Sequence, residues 1–396
     1  MKKTLFISNV AYPIGNVTSK RIHFLCKGLV ENGIELDLLL IKPTEYKNKV
    51  KNNKCKGIND KVKYSYAMHN TVRHNNKFFA KIIDYYSYFK VLKLIILNKE
   101  KYDSVIINGP FYDFRIFYVF LFSLKNIKLY LEINELPFVS NEEGLFKKIK
   151  LWFWRKFMFP LFDGFIAITG SLKEELDKYK SKKSKVIVIP IIGEKISNEL
   201  ITKTKSPLKS PYIFHAGSLS EVKDGVFGMI QAFVKYKKEV ESDLKFVFTG
   251  SIKNATKKNE IIQLLNANNL KNEILFVGFL SEKVLVEYLK HASLTIINKY
   301  TTKQNEYCFA TKIIDYINYE IPLILTNITT HKPYFKNTEN AFIAEPDEYK
   351  YLTQKISFIL DEKESIKEVT KNAKKLLDKE FNYLYQAKRM IDFFVD

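Results

Sequence analysis

Short apolar runs alternate with helix-period segments along nearly the whole chain, and this alternation restricts the fold more than any other feature of the sequence. Residues 4–8 read as a buried strand. A loop with Pro13 and Gly15 follows, then a helix that carries Ile22, Leu25, Cys26, Leu29 and Val30 on one face. Gly33 is the natural stop for that helix, and residues 35–41 form the next strand. Further apolar runs lie at 104–107, 128–133, 164–168 and 186–189. A polar Lys/Ser/Thr-rich stretch with Pro207, residues 194–210, then reads as a linker. Beyond it a second series begins, with strands expected at 212–215, 245–249, 274–277, 294–297, 322–325 and 341–343. Amphipathic segments lie between them, one with Val226, Met229, Ile230, Phe233 and Val234 on one face, another with Val284, Leu285, Tyr288 and Leu289. Strands alternating with helices build mostly parallel sheets covered on both faces. The fold class is therefore α/β, with two Rossmann-like doubly wound domains, 1–195 and 205–379, each placing ligands at the carboxyl ends of its strands. The stretch 365–396 reads as helical with a break near Phe381, and its last part, from about residue 380, is expected to pack back on the first domain. Residues 47–81, basic and Asn-rich, read as a long loop with one short helix.

Composition sets outer limits. An apolar fraction of 46% across 396 residues fills real cores and excludes wholesale disorder. Cys26, Cys55 and Cys308 form no C-x-x-C pair, which excludes a disulfide scaffold and a cysteine-rich zinc module. No run approaches a membrane-spanning length, no repeat period is visible, and the short apolar stretch of MKKTLFISNV reads as strand one rather than a leader. The net charge of +21 attracts polyanions or an anionic membrane surface. Only five of the 64 basic residues are arginine, however, and sequence-specific nucleic-acid readers depend on the arginine fork, so no nucleic-acid partner is expected.

Two stretches carry chemistry. In 212–225, YIFHAGSLSEVKDG, a strand ends in a small-residue loop, and Lys223 and Gly225 precede an amphipathic helix. Gly217 lets backbone N–H groups approach a phosphate, to which Lys223 adds a full charge. The same residues are also compatible with an ordinary βα loop bearing a surface lysine. In 305–325, NEYCFATKIIDYINYEIPLIL, a loop leads into a helix for which Thr311 is a plausible N-cap, and Asp315 lies one turn in. Asp315 can accept from a ribose diol or simply complement the helix dipole.

In this order, and after a linker, the two stretches resemble the C-terminal half of the family 4 glycosyltransferases, which have the GT-B fold of two such domains facing across a cleft. Between them lie Phe248-Thr249-Gly250 and Phe276-Val277-Gly278-Phe279-Leu280, which are similar to that family's strand-glycine steps. In the first half Pro13-Ile14-Gly15, the run 163–169 and Val188-Ile189-Pro190 match more loosely. The resemblance implies a nucleotide-diphosphate sugar donor, most simply a UDP-sugar. Lys223 would then grip the diphosphate with the Gly217-Ser218 backbone and Gly15. Asp315 would bind the ribose hydroxyls, the backbone at Gly278 and Phe279 the base edge, and the loop with Glu306, Tyr307 and Thr311 the donor sugar and β-phosphate. Three positions depart from the family's pattern: Ser218 replaces a frequent Arg, Tyr307 stands where the first acid of E-x7-E belongs with Glu306 one residue early, and the second acid is Asp315.

No D-x-D occurs, so fixed cations and backbone donors are expected to neutralise the diphosphate without a metal or other cofactor. The resemblance also implies retention of anomeric configuration. His215 closes a strand beside the phosphate loop; His23 and His291 lie on helical patterns and read as structural. On the acceptor side Glu132, Asn134 and Glu135 are candidates to orient a hydroxyl, or equally satisfied carboxylates and amides of a strand end. The segment 146–162, FKKIKLWFWRKFMFPLF, has the composition of an amphipathic helix bedded at a lipid interface, or of a core helix with a buried aromatic side. Residues 111–124 are similarly aromatic, but Asp113 and Arg115 favour an interior helix. The expected protein is a peripheral enzyme at the cytoplasmic face of a bacterial membrane. It would extend a saccharide, either free or carried on a polyprenyl diphosphate, during capsule, O-antigen or exopolysaccharide assembly. A nucleotide-sugar epimerase, and a non-enzymatic membrane or polyanion binder on a degenerate scaffold, are the rival readings.

Overall fold

Runs of β-branched and aromatic residues bury both faces of the central strands in two separate sheets. The computed structural model describes residues 3–97, 102–109, 115–124, 127–135, 148–149, 152–197, 205–217 and 219–395. The chain divides into two units, Met1–Gly193 with Asn382–Asp396, and Glu194–Phe381.

The first unit holds β1 (Lys3–Ser8), β2 (Glu35–Leu40), β3 (Lys56–Asn59), β4 (Val62–Tyr66), β5 (Ser104–Gly109), β6 (Lys128–Ile133), β7 (Gly164–Ala167) and β8 (Lys185–Val188). Their order is β3-β4-β2-β1-β5-β6-β7-β8, parallel throughout except for the β3-β4 hairpin. Helix α1 (Val17–Glu31) starts at Asn16, whose Oδ1 accepts from Ser19 N at 3.2 Å, and is followed by Gly33 at φ +89°. The C-terminal helix Tyr383–Val395 packs on α1 so closely that a Cβ on Gly28 would lie 2.6 Å from Ala387 Cβ. Tyr383 OH donates to Glu31 Oε2 at 2.7 Å across the same contact.

Two expectations for this unit are corrected. Residues 47–81 hold more than a loop with one short helix: β3 and β4 extend the sheet, and the long helix α2 (Lys77–Leu97) begins within them. The hairpin was hidden because its alternation is short, with Val62, Tyr64 and Tyr66 inward and lysines outward. The aromatic run after residue 111 forms helix α3 (Arg115–Leu124), which is not wholly interior, since Phe117, Phe120 and Leu124 are exposed; residues 110–114 lie outside the described residues. Within 146–162, residues 148–149 and 152–153 are α-helical, and 146–147 and 150–151 lie outside the described residues. Trp154–Met158 is a π-helical turn and Phe159–Leu161 a 3₁₀ turn, where Pro160 removes a backbone donor. Trp154, Met158, Phe159 and Phe162 are buried, while Trp152, Phe153 and Phe157 remain exposed.

The second unit holds β9 (Tyr212–His215), β10 (Lys245–Thr249), β11 (Ile274–Gly278), β12 (Leu294–Ile297), β13 (Leu323–Thr326) and β14 (Phe342–Ala344). They run β11-β10-β9-β12-β13-β14, every pair parallel. This order reverses between β9 and β12, and at such a switch point the crossovers diverge and leave a crevice beyond the carboxyl ends of the strands. The helix Val226–Glu239 covers one face with Met229, Ile230, Phe233 and Val234 buried.

Candidate active site

The carboxyl ends of β9 and β12, at the switch point of the second unit, gather three lysines and one aspartate. Beyond β9, Ala216 N donates to Tyr316 OH at 2.9 Å, which turns the chain into Gly217. A Cβ on Gly217 would lie 2.6 Å from Lys312 Nζ, 3.5 Å from His215 Nε2 and 3.6 Å from Asp224 Oδ1. The loop after β10 presses on the same point, since a Cβ on Gly250, at φ +92°, would fall 1.9 Å from the Gly217 carbonyl oxygen. Ser218 lies outside the described residues.

Lys223 belongs to a short helical turn, Glu221–Asp224, rather than to an open loop. Ser220 Oγ accepts from Lys223 N at 3.3 Å, and Gly225 in the left-handed region ends the turn and starts the next helix. No side chain fits there: a Cβ on Gly225 would meet Asn298 Nδ2 at 2.5 Å. Tyr300 OH donates to Glu221 Oε1 at 2.6 Å while Phe227 N donates to Glu221 Oε2, fixing the turn against the segment after β12.

Sequence reasoning missed Lys312. It opens the helix Lys312–Asn318, and its Nζ donates to Asp224 Oδ1 at 2.6 Å and to His215 Nε2 at 3.1 Å. The ring assignment follows, because His215 Nδ1 is 2.9 Å from the Ile296 carbonyl, which can only accept. His215 is thus a neutral imidazole donating through Nδ1 and accepting through Nε2. Burial pushes its pKa down to about 3, and the Lys312 ammonium adds to the shift. Burial pushes the Asp224 carboxyl up, but the Lys312 ammonium, with the Ser220 N–H, outweighs it and holds it below its usual range.

Lys299 was missed as well. Its side chain is buried beyond β12, its Nζ donates to Asn305 Oδ1 at 3.1 Å, and its backbone exchanges hydrogen bonds with the Thr326 hydroxyl. Burial lowers it to about 8; Cys308 and Asp224 favour the ammonium, while Lys312 and Lys223 oppose it. Asn305 in turn donates to the Val222 and Tyr300 carbonyls, which ties the loop before Lys312 to the turn that carries Lys223. A buried lysine without an adjacent motif gives no signal in sequence.

The remaining candidates fall as follows. Glu306 and Tyr307 end the helical turn Lys303–Tyr307 and are half-buried, as is Asp315 in the helix after it. Thr311 makes no capping hydrogen bond, because its own backbone is already helical, so the expected N-cap is corrected. Gly278 takes φ +71° at the end of β11, and the adjoining Phe279 ring is 79% exposed. In the first unit Gly15 is packed against α1, where a Cβ would meet Ser19 Oγ at 2.0 Å. Glu132 is not a solvent-facing base. It is fully buried in β6, with Arg21 Nε at 2.8 Å from Oε1 and Asn108 Nδ2 at 2.6 Å from Oε2. Arg21 also donates to the Ile189 and Pro190 carbonyls, so the carboxylate is a structural counterion. Asn134 is half-buried and Glu135 exposed at the end of the same strand.

Residues 18–191 match the family model described as Glycosyltransferase Family 4, and residues 197–376 match the one described as Glycosyl transferases group 1. Among solved structures, the chain is similar to a glycosyltransferase from Rickettsia africae, with 16% identity, 99% of this chain and 97% of that one covered, and a TM-score of 0.69. It is similar to Anabaena Alr3699/HepE in complex with UDP and glucose, at 13% identity, full coverage of both chains and a TM-score of 0.69. A sucrose-phosphate synthase from Thermosynechococcus elongatus matches at 14% identity over 100% of this chain and 98% of that one, with a TM-score of 0.70. A search of curated proteins finds no match.

Proposed function

The chain belongs to glycosyltransferase family 4, and we propose that it moves a sugar from a UDP-sugar to a saccharide acceptor, without a metal and with retention of anomeric configuration. One observation carries the donor assignment: Lys223, Lys299 and Lys312 converge about Asp224 at the switch point of the second unit. Like charges gathered away from bulk water repel, and a diphosphate relieves that repulsion while leaving its own charge compensated. Fixed cations of this kind stabilise the leaving diphosphate as charge develops on it. In this reading Lys223 and Lys312 hold the diphosphate beside Gly217, Asp315 takes the ribose hydroxyls, and Phe279 and the Gly278 backbone receive the base. Glu306 and Tyr307 face the sugar. UDP is the favoured nucleotide because the Anabaena neighbour is described with UDP and glucose.

The acceptor we assign is a growing surface saccharide on a polyprenyl diphosphate, reached by a peripheral enzyme at the cytoplasmic face of the membrane. The charge of +21 supports this, and among the described residues no helix is long and apolar enough to cross a membrane. The donor reading is tested by thermal unfolding with UDP, GDP, ADP and CMP in a metal chelator. A midpoint raised by UDP alone is the expected result, since a ligand that binds only the native state must raise it. A folded sample indifferent to all four nucleotides overturns the assignment.

A further inference from the structure

Helix α2 has two apolar faces, and among the described residues one of them is buried while the other is exposed. Ala80, Ser87, Tyr88, Val91 and Ile95 form a buried seam against the first unit. On the opposite side Phe78, Phe79, Ile82, Tyr86, Ile96 and Leu97 are between 47% and 68% exposed. At about 100° per residue these six fall within one stripe, centred roughly opposite the seam. Helix α3 packs beside α2, with Tyr118 OH donating to the Tyr88 carbonyl, and adds exposed Phe120 and Leu124. A surface helix ordinarily turns polar residues outward, and a large exposed, predominantly apolar stripe marks a surface that docks on something.

We propose that the outward face of α2 is the surface by which this protein beds on an anionic lipid bilayer, rather than the 146–162 segment singled out by composition. The charges around the stripe select the occupant. The helix carries four lysines: Lys81 and Lys90 flank the stripe, Lys93 lies within it and Lys77 falls toward the seam. Its one acid, Asp84, is neutralised by Arg73 Nη2 at 2.8 Å and Lys42 Nζ at 3.5 Å. Phenyl and phenol rings flanked by ammonium groups suit the boundary between acyl chains and anionic headgroups. A second copy is the poorer occupant, because it brings the same lysines and the same excess of +21 to the contact. Lysines along the helix prevent it from spanning, so it lies in the interface plane.

The inference rests on the proposal of a membrane-borne acceptor but is independent of the donor site. The test is co-sedimentation of the full chain with vesicles of phosphatidylcholine alone, and of phosphatidylcholine with phosphatidylglycerol. Binding is expected only to the anionic vesicles, and Ile82→Glu with Tyr86→Glu is expected to weaken it roughly tenfold or more. Trp152→Ser with Phe157→Ser is expected to leave it within about twofold of wild type, since these rings belong to neither α2 nor α3. The UDP-induced midpoint shift, measured on each variant, reports folding and the donor site separately. Loss of that shift in all proteins with vesicle binding as described sinks the donor reading and leaves the face standing. Equal vesicle binding by wild type and the α2 variant overturns the proposal, as does a concentration-dependent dimer dissolved by the α2 variant without any vesicle binding.

Discussion

Lys312 Nζ lies 2.6 Å from Asp224 Oδ1, so that the residue opening one helix closes an ion pair over the glycine that follows β9. Both side chains are largely withdrawn from water, at 17% and 12% exposure, and neither replaces the other's role. The pair positions a cation where a phosphate is expected to bind, and it also makes the burial of Asp224 tolerable.

These two roles separate by substitution. Lys312→Met strands a buried carboxylate and is expected to cost about 3 kcal/mol of stability, read by urea unfolding. Adding Asp224→Asn removes the stranded charge and is expected to recover most of that loss. UDP affinity, measured by calorimetry, is expected to stay at least roughly tenfold weaker in the double variant, because the cation is still missing. Recovery of both stability and affinity in the double variant contradicts a phosphate role for Lys312.

The two glycines at the site should respond differently to alanine. At Gly217 the added Cβ meets the flexible end of Lys312, which can give way slightly while keeping its pair with Asp224, so stability is expected to change by less than about 1 kcal/mol while UDP binding weakens. At Gly250 the Cβ meets the Gly217 carbonyl in a left-handed backbone, and neither can yield. Gly250→Ala is expected to cost several-fold more than Gly217→Ala in the same thermal measurement.

Lys299 predicts a pH signature. Its folded-state pKa is lowered to about 8 from an ordinary 10.5, chiefly by burial. Between those values the unfolded chain binds the extra proton, so this group's contribution makes stability rise with pH across that window. UDP binding has the opposite slope, because the diphosphate favours the ammonium: affinity is expected to fall as pH rises through 8, with proton uptake on binding. Calorimetry in buffers of different ionisation enthalpy reads the proton directly. Lys299→Met should flatten both profiles, and an unchanged binding profile in that variant shows that another group is responsible.

Arg21 and Glu132 test the structural reading of the first unit. Arg21→Met leaves a fully buried carboxylate with Asn108 as its hydrogen-bond donor among the described residues. A loss of about 3–5 kcal/mol is expected in chemical unfolding. A drop in transfer rate with unimpaired stability would instead return Glu132 to the chemistry.

Legibility in the sequence followed the range of the forces involved. β1, α1 and all six strands of the second unit were readable, because burial on one or both faces imposes a local period that a short window reveals. The β3-β4 hairpin was not, since four- and five-residue strands rich in lysine carry too little alternation. Lys223, Gly217 and Asp315 were visible as parts of ordered motifs. Lys299 and Lys312 were not, because each becomes a site residue only by meeting Asn305 or Asp224 from a distant strand or helix. Glu132 misled for the same reason: its position at the end of a strand was evident, but its partner Arg21 lies 111 residues away.

The sequence by itself determined two doubly wound α/β units, their parallel strands and the loop that carries Gly217 beyond β9, because local periodicity and backbone freedom belong to neighbouring residues. Only the tertiary structure decided which charges meet at the switch point, which carboxylate is a counterion rather than a base, and which aromatic helix keeps a second face exposed. Those outcomes depend on burial and on partners that chain order does not bring together.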